Sequence, residues 1–87
     1  MGRAQTGMRY VSTVSYSGPP DENLDLLIGG VAKINGGKPT GSGYDYACGE
    51  RYMGFSFGKK ESAETFGREV LSTKRGTMRT RVDRVDS

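Results

Sequence analysis

The stretch Tyr44–Phe57, Y-D-Y-A-C-G-E-R-Y-M-G-F-S-F, limits what this chain can fold into more than any other. It packs five of the eight aromatic side chains into one run and leads directly into a helical pattern at Glu61–Leu71. Alternating side-chain types over such a run predict two antiparallel strands. Gly49-Glu50 fits a two-residue type II′ turn, which favours glycine first. That turn pairs Cys48 with Arg51, Ala47 with Tyr52, Tyr46 with Met53, Asp45 with Gly54, Tyr44 with Phe55 and Gly43 with Ser56. Directly opposed residues share a face. Tyr44, Tyr46, Met53, Phe55 and Phe57 therefore gather on one side, and Gly43, Asp45, Ala47, Tyr52, Gly54 and Ser56 on the other. A one-residue slip would mix the two sets. The aromatic side is expected to be core, where truncating Phe55 or Phe57 to Ala costs about 3 to 5 kcal/mol.

The flanking segments alternate between the strand and helix periods. Met1–Gly7 is polar and reads as a frayed start. Met8–Tyr16 reads as a strand with Tyr10, Ser12, Val14 and Tyr16 on one face and Arg9, Val11, Thr13 and Ser15 on the other. Ser17-Gly18-Pro19-Pro20 stops it, because proline cannot donate to a ladder. Asp21 is placed to cap a helix, with Glu22 and Asp25 favourable at its positive end. Leu24, Leu27, Ile28, Val31 and Ile34 form its expected buried stripe. Gly29 and Gly30 each weaken that helix by about 1 kcal/mol relative to Ala, so they are expected to admit a close backbone. Asn35-Gly36-Gly37 supplies a left-handed end, and Lys38–Gly43 is a glycine-rich passage into the second strand. In the second helix Ala63, Phe66, Val70 and Leu71 share a stripe. Lys74-Arg75-Gly76 turns the chain into a last strand, Met78–Val85, with Met78, Thr80 and Val82 facing one way and Arg79, Arg81 and Asp83 the other.

The resulting order, β-α-β-β-α-β, resembles the ferredoxin-like α+β superfold across about residues 8–85. The resemblance implies a four-stranded antiparallel sheet in spatial order 4-1-3-2, with two helices on one face. Residues 1–87 are expected to form a single domain. A chain of 87 residues buries only about 60 to 65% of the surface its unfolded form exposes. With 33% hydrophobic residues, 14 Gly and no Trp, its core must be thin. Because the superfold hosts many unrelated functions, the resemblance implies a fold and no activity.

Inventory removes most chemistries. Cys48 is the only cysteine and histidine is absent, which excludes a disulfide framework, a Cys/His zinc site, an imidazole base and a Ser-His-Asp triad. The Gly36–Gly43 run departs from a phosphate loop at Ala32, where the first glycine would stand, and at Pro39, where Ser or Thr would follow the lysine. Ferredoxin-like metal chaperones need paired cysteines after the first strand, and acylphosphatase-like enzymes an anion loop with arginine. This chain has Ser17-Gly18-Pro19-Pro20 there. The ten carboxylates form no acid/base pair by spacing, and Asp45 alone reads as solvated. No enzyme, cofactor or metal is expected. No apolar run reaches the length of a signal peptide core or a membrane span, which leads to the expectation of a soluble, cytoplasmic protein.

Binding remains. Arg51-Tyr52-Met53-Gly54-Phe55 resembles part of the third-strand signature of RNA-recognition motifs, which share this topology. Those domains stack bases on sheet-face aromatics, whereas the register here turns Phe55 and Phe57 toward the helices and leaves only Tyr52 outward. The open face would gather Arg9, Val11, Thr13, Tyr52, Gly54, Ser56, Arg79 and Arg81. Arginine and tyrosine are favoured at interface hot spots, and the glycines would leave a bare, flat patch. The basic segment Lys74, Arg75, Arg79, Arg81 and Arg84 is interrupted by Asp83 and Asp86 and also suits a charge-protected edge strand. The expectation is a non-catalytic module that docks on another protein, as adaptor or inhibitor, through its open sheet face or an edge strand. Arg9, Tyr52, Arg79 and Arg81 are its partner-binding residues, and a homodimer is one form of it. The alternative is an RNA- or single-strand-binding domain, consistent with a net charge of +3.

Overall fold

The computed structural model describes residues 8–73 and 78–86. The frayed start expected at Met1–Gly7 and the turn expected at Lys74-Arg75-Gly76 lie outside the described residues. The elements run β1 (Met8–Ser17), α1 (Glu22–Ile34), β2 (Lys38–Asp45), β3 (Glu50–Phe57), α2 (Lys60–Thr73) and β4 (Arg79–Asp86). The strands form one antiparallel sheet in the order β2-β3-β1-β4, so the fold is the ferredoxin-like α+β arrangement that the resemblance implies.

Strand parity decides what becomes core. Val14, Tyr16, Phe55 and Phe57 point to the helix side, where they are buried with Ala63, Phe66 and Val70 of α2 and with Met78. Phe66 sits between Phe55 and Phe57, with ring centroids 5.3 and 5.2 Å away, close enough for aromatic pairing to add to burial. Leu71, expected on the α2 stripe, is 41% exposed. Gly67 of α2 is buried because Thr80 of β4 packs where its side chain would be.

The hairpin corrects the expected register. Asp45 pairs with Glu50, Tyr44 with Arg51 and Gly43 with Tyr52, so Tyr46–Gly49 form a four-residue loop in place of a Gly49-Glu50 turn. Asp45 closes that loop through both its side chain and its carbonyl. The Asp45 Oδ1 accepts from the Ala47 amide at 2.9 Å, and the Asp45 carbonyl accepts from the Gly49 amide at 2.7 Å. Gly49 takes φ +67°, the left-handed region that glycine tolerates best. The pairing moves by an even number of residues, so the faces of β3 stay as expected. Tyr46 and Ala47 leave the sheet, and Tyr46 is 89% exposed instead of core. β2 begins at Lys38 and carries a bulge between Pro39 and Gly41.

The ends of α1 follow the sequence. Asp21 caps it, its Oδ1 accepting from the Leu24 amide at 3.1 Å. At the other end the Gly37 amide reaches Ala32 O at 2.7 Å and the Gly36 amide reaches Lys33 O at 3.1 Å, with Gly36 at φ +82°, a Schellman motif. The rotation of α1 differs from expectation. Leu24, Ile28 and Ala32 are buried and Val31 partly so, whereas Leu27 and Ile34 are exposed at 44% and 84%. The inward arc also takes in Asp25, whose carboxylate is held beneath the helix by Tyr16 and Arg51. Nor do Gly29 and Gly30 receive a close backbone: nothing lies within 4 Å of where their side chains would be.

Candidate functional site: the open sheet face

The registers lay out the face away from the helices as rows. Gly43, Tyr52, Ser15 and Arg79 form one row across the four strands. Gly41, Gly54, Thr13 and Arg81 form the next, and Ser56, Val11 and Asp83 lie beyond it. Arg9, opposite Val85, stands at the far end. Of the four expected partner-binding residues, Tyr52, Arg79 and Arg81 therefore lie within two adjacent rows, while Arg9 is separated from them along the strand.

Two of the three glycines of this face, Gly43 and Gly54, are covered, which corrects the expectation of bare backbone there, while Gly41 is open. The Tyr52 ring lies across Gly43, where an added side chain would meet the Tyr52 hydroxyl at 2.5 Å, and the Thr40 hydroxyl occupies the space over Gly54. Tyr52 thus lies flat, 42% exposed. Two shallow depressions of about 520 and 550 Å³ share Thr13 and Ser15 as their floor. Arg79, Thr80 and Arg81 line the first, and Tyr44, Asp45, Tyr46, Glu50 and Tyr52 line the second.

The two flanks carry opposite charge. Arg79 of β4 reaches across β1 to pair with Glu50 of the opposite flank, and on the β4 side Arg81 Nε donates to Asp83 Oδ2 at 2.9 Å. Both guanidiniums remain well exposed, at 64% and 78% of their side-chain surface, so these pairs are worth little in water. On the hairpin side the Asp45 carboxyl is held below its ordinary value of 3.8, first by the Cys48 thiol and then by the Ala47 and Cys48 amides. The same contact pushes the exposed Cys48 thiol above its ordinary 9.0.

A second polar group lies on the other side of the sheet. Asp25 of α1 accepts from the Tyr16 hydroxyl at 2.7 Å through Oδ1 and from Arg51 Nη2 at 2.8 Å through Oδ2. Arg51 also reaches Gly43 O at 3.3 Å, and the Tyr16 oxygen accepts from the Asp21 amide at 2.8 Å. The Arg51 guanidinium is held above its ordinary value, first by its hydrogen bond to Asp25. This group joins β1, α1, β2 and β3 and is satisfied internally, which gives it the character of a structural clamp.

Strand alternation places Ser15 on the face of Arg9, Val11 and Thr13, although it was not counted among the candidate residues, and Glu50 was missed as a member of the open face. Glu50 was assigned to the turn, and only the Asp45-to-Gly49 spacing could have moved it into β3. Among the described residues, no group of three or more Cys, Asp or Glu side chains could hold a metal ion, and no helix is long and apolar enough to cross a membrane. The chain matches no protein-family model and no curated protein.

Proposed function

We propose that this chain is a small protein-binding module, an adaptor or inhibitor, whose open sheet face docks on another protein with Tyr52, Arg79 and Arg81 at the contact. One observation carries the reading: a small-residue floor, Thr13 and Ser15, lies between a flank bearing Asp45 and Glu50 and a flank bearing Arg79 and Arg81, with Tyr52 flat beside it. Opposite charges on two flanks suit the mixed surface of a folded protein or peptide and set its orientation. The exposed arginines and tyrosine are the residue types that carry interface energy.

An RNA- or single-strand-binding surface is the second reading. Tyr52 favours it, since a flat ring on an open sheet is a stacking platform. Asp45 and Glu50 weigh against it, because they would face phosphates.

The test compares capture by the wild type, by Tyr52→Ala/Arg81→Ala and by Leu26→Glu, a change on the helix side. A protein retained by the wild type and by Leu26→Glu but lost from the sheet-face variant, whose circular dichroism is unchanged, supports the proposal. Equal retention by all three overturns it. Oligonucleotide binding that falls steeply with salt would favour the second reading.

A further inference from the structure

On the helix side, α1 presents an apolar stripe that the core does not use. Leu26 is 71% exposed, Leu27 44% and Ile34 84%, and the exposed Gly30 lies among them with nothing within 4 Å of where its side chain would be. At about 100° per residue these four positions occupy one arc of roughly 100° on the helix. Scattered single apolar residues on a surface are ordinary, whereas a contiguous stripe marks a contact.

Charge identifies the occupant. Glu22 in the first turn and Lys33 in the last lie on the same flank of the stripe, both exposed. In an antiparallel pair of identical helices like flanks meet, so each Glu22 comes beside the Lys33 of the second copy. The same alignment seats Leu26 over the partner's gap at Gly30, where the missing side chain lets the two backbones approach. A two-fold pair of this kind closes on itself and satisfies both copies equally. A bilayer-binding helix would instead carry a basic polar flank, and here Asp21 and Glu22 stand at the acidic end.

From this geometry we infer that α1 is a self-association surface, pairing antiparallel with α1 of a second copy of this chain. One helix face per copy is small against the roughly 800 Å² each partner buries in a standard interface, so the dimer is weak and forms at about 0.1 to 1 mM protein. It leaves the open sheet face free, and the inference does not rest on the reading of that face.

Sedimentation equilibrium of the full chain tests it. The wild type should show an average mass rising toward twice the chain mass as concentration increases. Leu26→Glu and Ile34→Glu, at exposed positions that leave the circular dichroism unchanged, should each weaken association about tenfold or more. Lys33→Glu and Glu22→Lys should each weaken it and the double reversal should restore it, an outcome specific to a second copy. A wild type that stays monomeric overturns the inference, including one that stays monomeric while binding anionic vesicles. So does association unaffected by both glutamates, or a double reversal no better than the single changes.

Discussion

Arg51 of β3 and Asp25 of α1 stand 26 positions apart and meet with the Arg51 Nε and Nη2 on one carboxylate oxygen, at 3.2 and 2.8 Å, while the other oxygen takes the Tyr16 hydroxyl. The pair is mostly shielded, with 16% and 19% of its side chains exposed. Removing one partner leaves the other's charge without compensation. Arg51→Leu should therefore lower stability by about 2 kcal/mol in urea denaturation, and Asp25→Leu similarly. The double variant should lose less than the sum, with a coupling of about 1 kcal/mol or more. Strict additivity would contradict the clamp.

Ser12 is fully buried on β1, and its hydroxyl has no hydrogen-bond partner among the described residues. An unsatisfied buried hydroxyl costs about 1 to 3 kcal/mol. Ser12→Ala should therefore stabilise the chain by about 1 kcal/mol, raising Tm by roughly 4 to 8 °C in calorimetry. A lower Tm would mean that the hydroxyl is paired.

Two glycines should respond in opposite directions. A side chain at Gly37 would meet the Phe57 ring at 2.5 Å, and that ring is 1% exposed and pressed against Phe66, so Gly37→Ala should cost about 1 to 3 kcal/mol. Gly30 is helical with open space around it, so Gly30→Ala should gain about 1 kcal/mol. Thermal unfolding at dilute, monomeric concentrations compares them.

The titrations have defined signs. Asp45, held below 3.8, favours folding at pH above that value, and this contribution is lost as the pH falls through the lowered folded-state value. Burial, the largest influence, pushes the Tyr16 phenol above 10.0, so its contribution is whole below pH 10 and is lost as the pH climbs through the raised value. Asp45→Asn should flatten the acid limb of the stability curve. It should also speed Cys48 labelling by a thiol reagent at pH 8, since it removes the carboxylate that raises the thiol. Unchanged labelling would place the thiol away from Asp45.

The split of β3 into Phe55/Phe57 and Tyr52/Gly54 was legible in the sequence, because strand period and parity are local properties, whereas the sheet order followed from the resemblance of the element order to the ferredoxin-like superfold. The hairpin register was not: Gly49-Glu50 has the chemistry of a two-residue turn, while Asp45 capping its own loop makes a four-residue one equally closed. The rotation of α1 was hidden because Leu24, Leu27, Ile28 and Ile34 offer more apolar surface than one face can bury, and the choice falls to Asp25 meeting Arg51. Three of the candidate residues, Tyr52, Arg79 and Arg81, came together by alternation alone, whereas the Arg79–Glu50 pair joins strands that no local pattern links.

The most direct measurement of the proposed binding face is amide chemical-shift mapping, with the ¹⁵N-labelled chain titrated with the protein it captures. The expected shifts fall on Thr13, Ser15, Tyr52, Gly54, Arg79 and Arg81, while α1 stays unchanged at dilute chain. Shifts confined to α1 and α2, with the open sheet face silent, would contradict it.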